Sequence, residues 1–274
     1  MALKSRYWAE LTTRDFAALD AQATVAVLPV AAIEQHGPHL PLSVDTLLVD
    51  GIVQATLPLL PPDLSVLVLP TQAIGLSPEH ERFAGTLTLS PQTLLALWCE
   101  IGECVAKSGV RKLLFLNSHG GQVSATDIAA RMLRARCELI AYSSSWFNLP
   151  IQPVLDAAFA AEEQRFGVHG GAIETSMMLA LHPDLVDMSA AQDFSSSSRL
   201  RAPVFPLLGN GRSAKFGWQM QDVNPAGAAG DAASATADKG RSVIDAAAAQ
   251  LAVLLDELSR LPLATLVDRP SSKA

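Results

Sequence analysis

The chain has 274 residues, 49% of them hydrophobic, and a formal net charge of −7. That length and apolar content support a sizeable core and exclude a disordered chain. The acidic balance, without any Lys/Arg stripe, excludes a nucleic-acid binder and suits a small dissolved substrate.

No apolar run approaches the ~20 residues of a membrane span. The opening MALKSRYWAELTTRDF lacks the apolar core of a signal peptide. A cytoplasmic location with no membrane partner is therefore expected. Cys99, Cys104 and Cys137 form no CxxC pair and sit in apolar settings, so all three are expected as buried free thiols.

In chain order, residues 24–31 (TVAVLPVA) read as a buried strand and 46–56 as a helix. Residues 65–70 read as a second strand. Ser90 and Pro91 are the N-cap and first residue expected of a helix reaching Lys107. Residues 111–117 read as a third strand, 122–136 as a helix and 138–143 as a fourth strand. Alternating strands and helices imply an α/β fold with a mostly parallel sheet covered on both faces. Residues 194–215 read as loop, 226–240 as turn-rich and 241–261 as a helix, with a frayed tail after Pro262. No repeat or linker appears, so a single domain over 1–274 is expected.

In such sheets, ligands bind outside the carboxyl ends of the strands. The polar clusters fall at those ends: EQHGPHLPLSVD after the first strand, SHGGQ after the third and SSSW after the fourth. Glu34 and His36 are two apart in extended chain and can face one cavity. Asp45 opens the next helix, where a carboxylate is also favourable on dipole grounds alone. His119 precedes Gly120 and Gly121, which permit close backbone approach. His169 precedes a second Gly pair, and Glu174 stands at the head of an apolar helical run. Three carboxylates with two or three imidazoles suit zinc, manganese or iron better than calcium, and suffice for a two-metal site. Arg165 is a candidate for a substrate carboxylate or phosphate, or a surface arginine. Trp146 is a candidate pocket wall or a core residue.

These segments resemble the creatininase family. The matching motifs are Glu34-Gln35-His36-Gly37-x-His39-Leu40-Pro41 with Asp45, Ser77-x-Glu79-His80-x-x-Phe83-x-Gly85-Thr86, Asn117-x-His119-Gly120-Gly121, and His169-Gly170-Gly171-x-x-Glu174-Thr175-Ser176. A weaker match covers Gly230-Asp231 and Ala235 to Gly240, so the resemblance spans about residues 7–245. It implies a three-layer α/β/α fold, a hexamer, and hydrolysis of C–N bonds in cyclic amides, formamides or peptides. By motif, Glu34, His36, Asp45, His119 and Glu174 match metal ligands, with Asp45 as the bridge. His169 matches a catalytic histidine and Ser77 a substrate-contacting position, with His80, Gly120 and Gly121 placed beside it. Two divalent ions per chain are expected.

The sequence departs from creatininase proper at two places. A Tyr-Glu pair that follows the ligand histidine there is Gly120-Gly121 here, and a Trp-Asp pair before the catalytic histidine is Arg165-Phe166. Weak or absent turnover of creatinine is expected on that account. The expected reaction is cleavage of a small cyclic amide or formamide by metal-activated water. The alternatives are a peptidase trimming a small peptide and an inactive metal- or ligand-binding relative.

Overall fold

The computed structural model describes residues 3–20, 22–209, 211 and 213–269. A short helix α1 (Thr13–Ala17) leads into strand β1 (Val25–Val30), helix α2 (Val44–Thr56) and strand β2 (Val66–Val68). Helix α3 (Pro91–Lys107), strand β3 (Lys112–Asn117), helix α4 (Val123–Cys137) and strand β4 (Ile140–Ser145) follow. The sheet order is β2-β1-β3-β4, and all three pairings are parallel.

Next come α5 (Gln152–Ala158), α6 (Ala161–Phe166) and α7 (Ala172–Leu181), then β5 (Asp193–Phe194) and α8 (Ser198–Val204). The chain closes with α9 (Met220–Val223), β6 (Gly230–Asp231) and α10 (Ala237–Arg260); β5 and β6 pair antiparallel.

Alternation along the strands explains the layers. Val25 and Val27 of β1, with Leu114 and Leu116 of β3, face one core that also holds Leu48 and Ile52 of α2, Met177 of α7 and Leu251 of α10. Ala26 and Leu28, with Leu113 and Phe115, face a second core against Leu94 and Trp98 of α3 and Leu133 of α4. Trp98 and Phe115 pack with ring centroids 5.8 Å apart. The result is the three-layer α/β/α arrangement, with α2, α7 and α10 on one face and α3 and α4 on the other.

The order of strands positions the site. The chain steps from β1 outward to β2, then returns past β1 to β3 and on to β4. Right-handed crossovers send helices of opposite steps to opposite faces. The loops after β1 and β3 therefore diverge and leave a crevice at their carboxyl ends, a topological switch point. Val30 and Asn117, the last residues of those strands, are in register, as are Asn117 and Ser145.

Several expectations need correction. Residues 194–215 are not loop throughout: β5 and α8 lie there, and α8 accommodates Pro203 within its short span. The last helix begins at Ala237, capped by Thr236, rather than at 241. The fourth strand runs two residues later than expected and takes in Ser143–Ser145. The chain after Pro262 is not all frayed, because Leu263 and Leu266 pack on the first core; residues 270–274 lie outside the described ones. Cys99 is buried, but Cys104 is exposed and Cys137 half-buried. On α3 the buried stripe runs through Trp98, Cys99, Gly102 and Val105, which leaves Cys104 toward solvent. No helix among the described residues is long and apolar enough to cross a membrane.

Candidate metal centre

Glu34 and His36 lie just past β1, where a backbone hydrogen bond from Glu34 N to Leu42 O (2.9 Å) folds the loop back. Asp45 is in the first turn of α2 and is buried. His119 follows β3, and Asn117 fixes its turn. The Asn117 amide donates to the His119 carbonyl (2.7 Å) and to Ser145 Oγ (2.9 Å), while its oxygen accepts from His119 N (3.1 Å). Glu174 is in the first turn of α7, and its Oε2 accepts from Gly170 N (2.6 Å). Gly170 has φ of +60°, which turns the His169 segment sharply into that helix.

These residues converge. Asp45 Oδ1 is 3.6 Å from His36 Nε2 and Asp45 Oδ2 is 3.4 Å from His119 Nδ1. Glu34 Oε1 lies 3.2 Å from His119 Nδ1, and Glu174 Oε2 is 4.0 Å from His36 Nε2. The ring tautomers follow from the outer partners. His36 Nδ1 faces the Glu34 carbonyl (3.0 Å) and His119 Nε2 faces the Leu76 carbonyl (2.9 Å). A carbonyl can only accept, so those nitrogens carry protons; in the neutral rings, the form that binds a metal, the inward nitrogens present lone pairs.

Lone pairs aimed at carboxylates repel unless a cation lies between them. Glu34 Oε2, His36 Nε2 and Asp45 Oδ2 are buried and have no hydrogen-bond partner of good geometry. Burial favours neutral rings, yet Asp45, Glu174 and Glu34 raise His36 to about 9; Glu34 and Asp45 raise His119 well above its ordinary value. Despite burial, His119 and His36 hold Asp45 below the usual carboxylate range. Burial raises Glu174 to about 7. The cluster draws positive charge. Glu34, Asp45 and His119 offer ligand atoms within 4.8 Å of one another, as do His36, Asp45 and Glu174, and Asp45 is common to both groups. This donor set, carboxylates with imidazoles oriented by backbone carbonyls, fits a divalent transition metal.

His169 joins the cluster: Nδ1 lies 3.7 Å from Glu34 Oε1, and Nε2 donates to the Gln35 carbonyl at 2.6 Å. Glu34, His36 and His169 form a third group that could hold an ion. Burial, then the neighbouring His36, pushes His169 well below its ordinary value, so Nδ1 is a proton acceptor here. The His80 ring packs tilted against His169, with centroids 4.2 Å apart. Gln35 Oε1 accepts from Gly37 N (3.0 Å), which leaves its amide nitrogen to donate to His80 Nδ1 (2.7 Å). His80 Nε2–H then points at Glu34 Oε1, 3.4 Å away. Burial and His169 lower His80 to about 3.

The cluster floors an open cavity of about 660 Å³, with His80, Gly120 and Gly121 on its wall beside Phe147, Phe216 and Trp218. Ser77 is not on that wall. It is fully buried, with Oγ 3.3 Å from His119 Nε2, and so backs the imidazole. Trp146 is a core residue, and Phe147 and Asn148 after it reach the cavity. Arg165 lies over the Phe166 ring and lines an adjoining hollow instead.

Gln35 and Glu79 carry no role that their residue types announce, although both stand inside the motifs around Glu34 and His80. Glu79 Oε1 is 3.4 Å from His119 Nε2, and a Cβ on Gly121 would lie 1.9 Å from it. Gly121 is thus the residue that lets Glu79 reach His119. Trp218 and Phe216 carried no signal beyond being aromatic.

The family model for creatininase, described as creatinine amidohydrolase, matches residues 9–255. The chain is 32% identical over 244 residues to a mycofactocin precursor peptide peptidase from Mycobacterium tuberculosis, covering 86% of each chain. It is 30% identical over 218 residues to creatinine amidohydrolase from Pseudomonas putida, covering 74% of this chain and 82% of that one. A crystal structure of creatinine amidohydrolase superposes with a TM-score of 0.75 at 27% identity, over 94% of this chain and 99% of that one. Further creatininase structures with TM-scores of 0.73 are a zinc–zinc form of a variant and a manganese form.

Proposed function

The chain belongs to the creatininase family, and from that membership we infer that it is a metal-dependent hydrolase of an amide C–N bond. One observation carries the reading: the imidazoles of His36 and His119 converge with the carboxylates of Glu34, Asp45 and Glu174, and Glu34 Oε2, His36 Nε2 and Asp45 Oδ2 are buried there without a hydrogen-bond partner. Glu34, His36, Asp45, His119 and Glu174 would hold two divalent ions, with Asp45 shared. A bound divalent cation supplies Lewis acidity, making water more acidic and a carbonyl more electrophilic.

The chain's own residues then handle protons and orientation. His169 Nδ1 takes a proton from the attacking water, while the Gln35 carbonyl holds the ring through Nε2. The water oxygen bonds to the carbonyl carbon, and the C–N bond breaks as His169 passes that proton to the leaving nitrogen. An amine leaves poorly without it. The ring thus acts first as a base and then as the acid. His80, its tautomer set by Gln35, orients Glu34. Ser77 and the Leu76 carbonyl orient His119.

Small cyclic amides and formamides fit this chemistry. Creatinine is disfavoured, because Gly121 carries no carboxylate and Arg165-Phe166 stand outside the cavity wall. A peptide substrate is the second reading. A cavity of 660 Å³ exceeds the need of a single small ring, and a 32% identical relative is a peptide peptidase. Homo-oligomer assembly, as a hexamer, and a cytoplasmic setting belong to the same proposal.

The test is to assay protein loaded with Mn²⁺ or Zn²⁺ against cyclic amides, formamides and short peptides. Chelator-reversible hydrolysis of one class is expected. A metal-loaded protein inert to all three would favour the inactive binding relative.

A further inference from the structure

Glu163 lies outside the cluster yet is 4% exposed, at a position where an acid has no apolar reason to be. It sits in α6, and each carboxylate oxygen accepts from a different backbone segment. Oε1 accepts from Ala172 N at 2.6 Å and Oε2 from Asp231 N at 2.8 Å. Ala172 is the first residue of α7, and its N–H is one that no helix can satisfy internally. The N-cap residue of α7 is Gly171, which has no side chain to cap with. Glu163 supplies that cap from another helix.

The surrounding glycines make room for it. A Cβ on Gly171 would lie 2.4 Å from Glu163 Oε1, and one on Gly230 would lie 2.7 Å away. Just before the two anchored residues, His169 and Ala229 are bridged by backbone hydrogen bonds in both directions. Glu174 follows two residues after the capped Ala172. The same carboxylate thus ties β6 to the start of α7, three residues after His169 and two before Glu174. Burial raises its pKa, opposed by the two N–H donors.

We propose that Glu163 is a positioning residue that sets His169 and Glu174 by capping α7 and tying it to β6. This rests on the roles given to His169 and Glu174 above. Removing one acceptor leaves a buried N–H unpaired. The turn can then relax, and the ligand and the proton carrier both lose their aim. Outer partners of metal ligands commonly change metal affinity by about 10- to 100-fold.

The experiment compares wild type with Glu163→Gln, which keeps the size but loses one acceptor. Gly171→Ala is a second route, because its Cβ displaces the same carboxylate. Ser90→Ala, which removes the Thr93 N cap on α3 (3.2 Å), is the control for lost stability. Mn²⁺ affinity by calorimetry and hydrogen exchange over residues 168–176 are read on all four. Both site variants should bind Mn²⁺ about 10- to 100-fold more weakly and exchange faster over 168–176, with Ser90→Ala unchanged in both. With a substrate in hand, kcat should fall while KM holds. Wild-type affinity and exchange in both site variants would overturn the inference. So would an equal loss in Ser90→Ala, which would make the effect one of general stability. A wild type that binds no Mn²⁺ or Zn²⁺ would instead overturn the metal reading itself.

Discussion

Asp45 turns one carboxylate oxygen to each of two histidines, Oδ1 to His36 Nε2 at 3.6 Å and Oδ2 to His119 Nδ1 at 3.4 Å. No other residue belongs to both of the groups that join these histidines to Glu34 and Glu174. Asp45→Ala should therefore remove metal from both positions rather than one. Metal analysis should give a near-empty protein and a lower melting temperature. Loss of only half the wild-type metal would show that Asp45 serves a single ion.

His169→Ala should lower kcat by roughly 10²–10⁴-fold and leave metal content intact, once a substrate is known. Its Nδ1 faces Glu34 at 3.7 Å, within reach of a ligand role as well. Metal analysis of the variant separates the two. Depleted metal would make His169 a ligand, and unchanged turnover would make it structural.

Gly121 and Gly120 are neighbours with opposite tolerance. A Cβ at Gly121 would meet Glu79 Oε1 at 1.9 Å and His119 Nε2 at 2.5 Å, whereas one at Gly120 meets nothing within 4 Å. Glu79 can swing aside, but His119 is held by Asn117 and the Leu76 carbonyl. Gly121→Ala should cost about 1–3 kcal/mol of stability and weaken metal binding. Gly120→Ala should do neither. Thermal melts with metal titration check the pair, and equal behaviour would contradict the placement of Glu79.

Glu138 ends α4 in the left-handed region, at φ of +54°, a conformation that costs a residue with a Cβ about 1–2 kcal/mol. Its side chain has only a 3.5 Å exposed pairing with Arg111 to lose. Glu138→Gly should raise stability by about 0.5–1 kcal/mol after the entropy cost of glycine. An unchanged or lower melting temperature would show that the Arg111 pairing outweighs the strain.

The sequence made the layers legible because a buried parallel strand is apolar on both faces, as β1 and β3 are. Glu34, His36 and His119 could be grouped from the sequence because each follows the end of such a strand, and the register of Val30 with Asn117 brings those ends together. The end of β4 was misplaced because three serines make a poor strand alone, and pairing with β3 holds them. Glu163 left no trace in the sequence. Its partners are backbone N–H groups, which no residue type announces, and one of them is 68 positions away. Ser77 was legible as a motif residue but not as the backing of His119, since that depends on which way the loop before Pro78 turns.

The proposed function stands or falls with divalent metal in the cluster around Asp45. Crystals grown with Mn²⁺ and measured at the manganese edge test it most directly. Anomalous peaks are expected on both sides of Asp45, one toward His36 and Glu174 and one toward His119 and Glu34. A map with no peak there, in crystals where the five side chains are ordered, would contradict it.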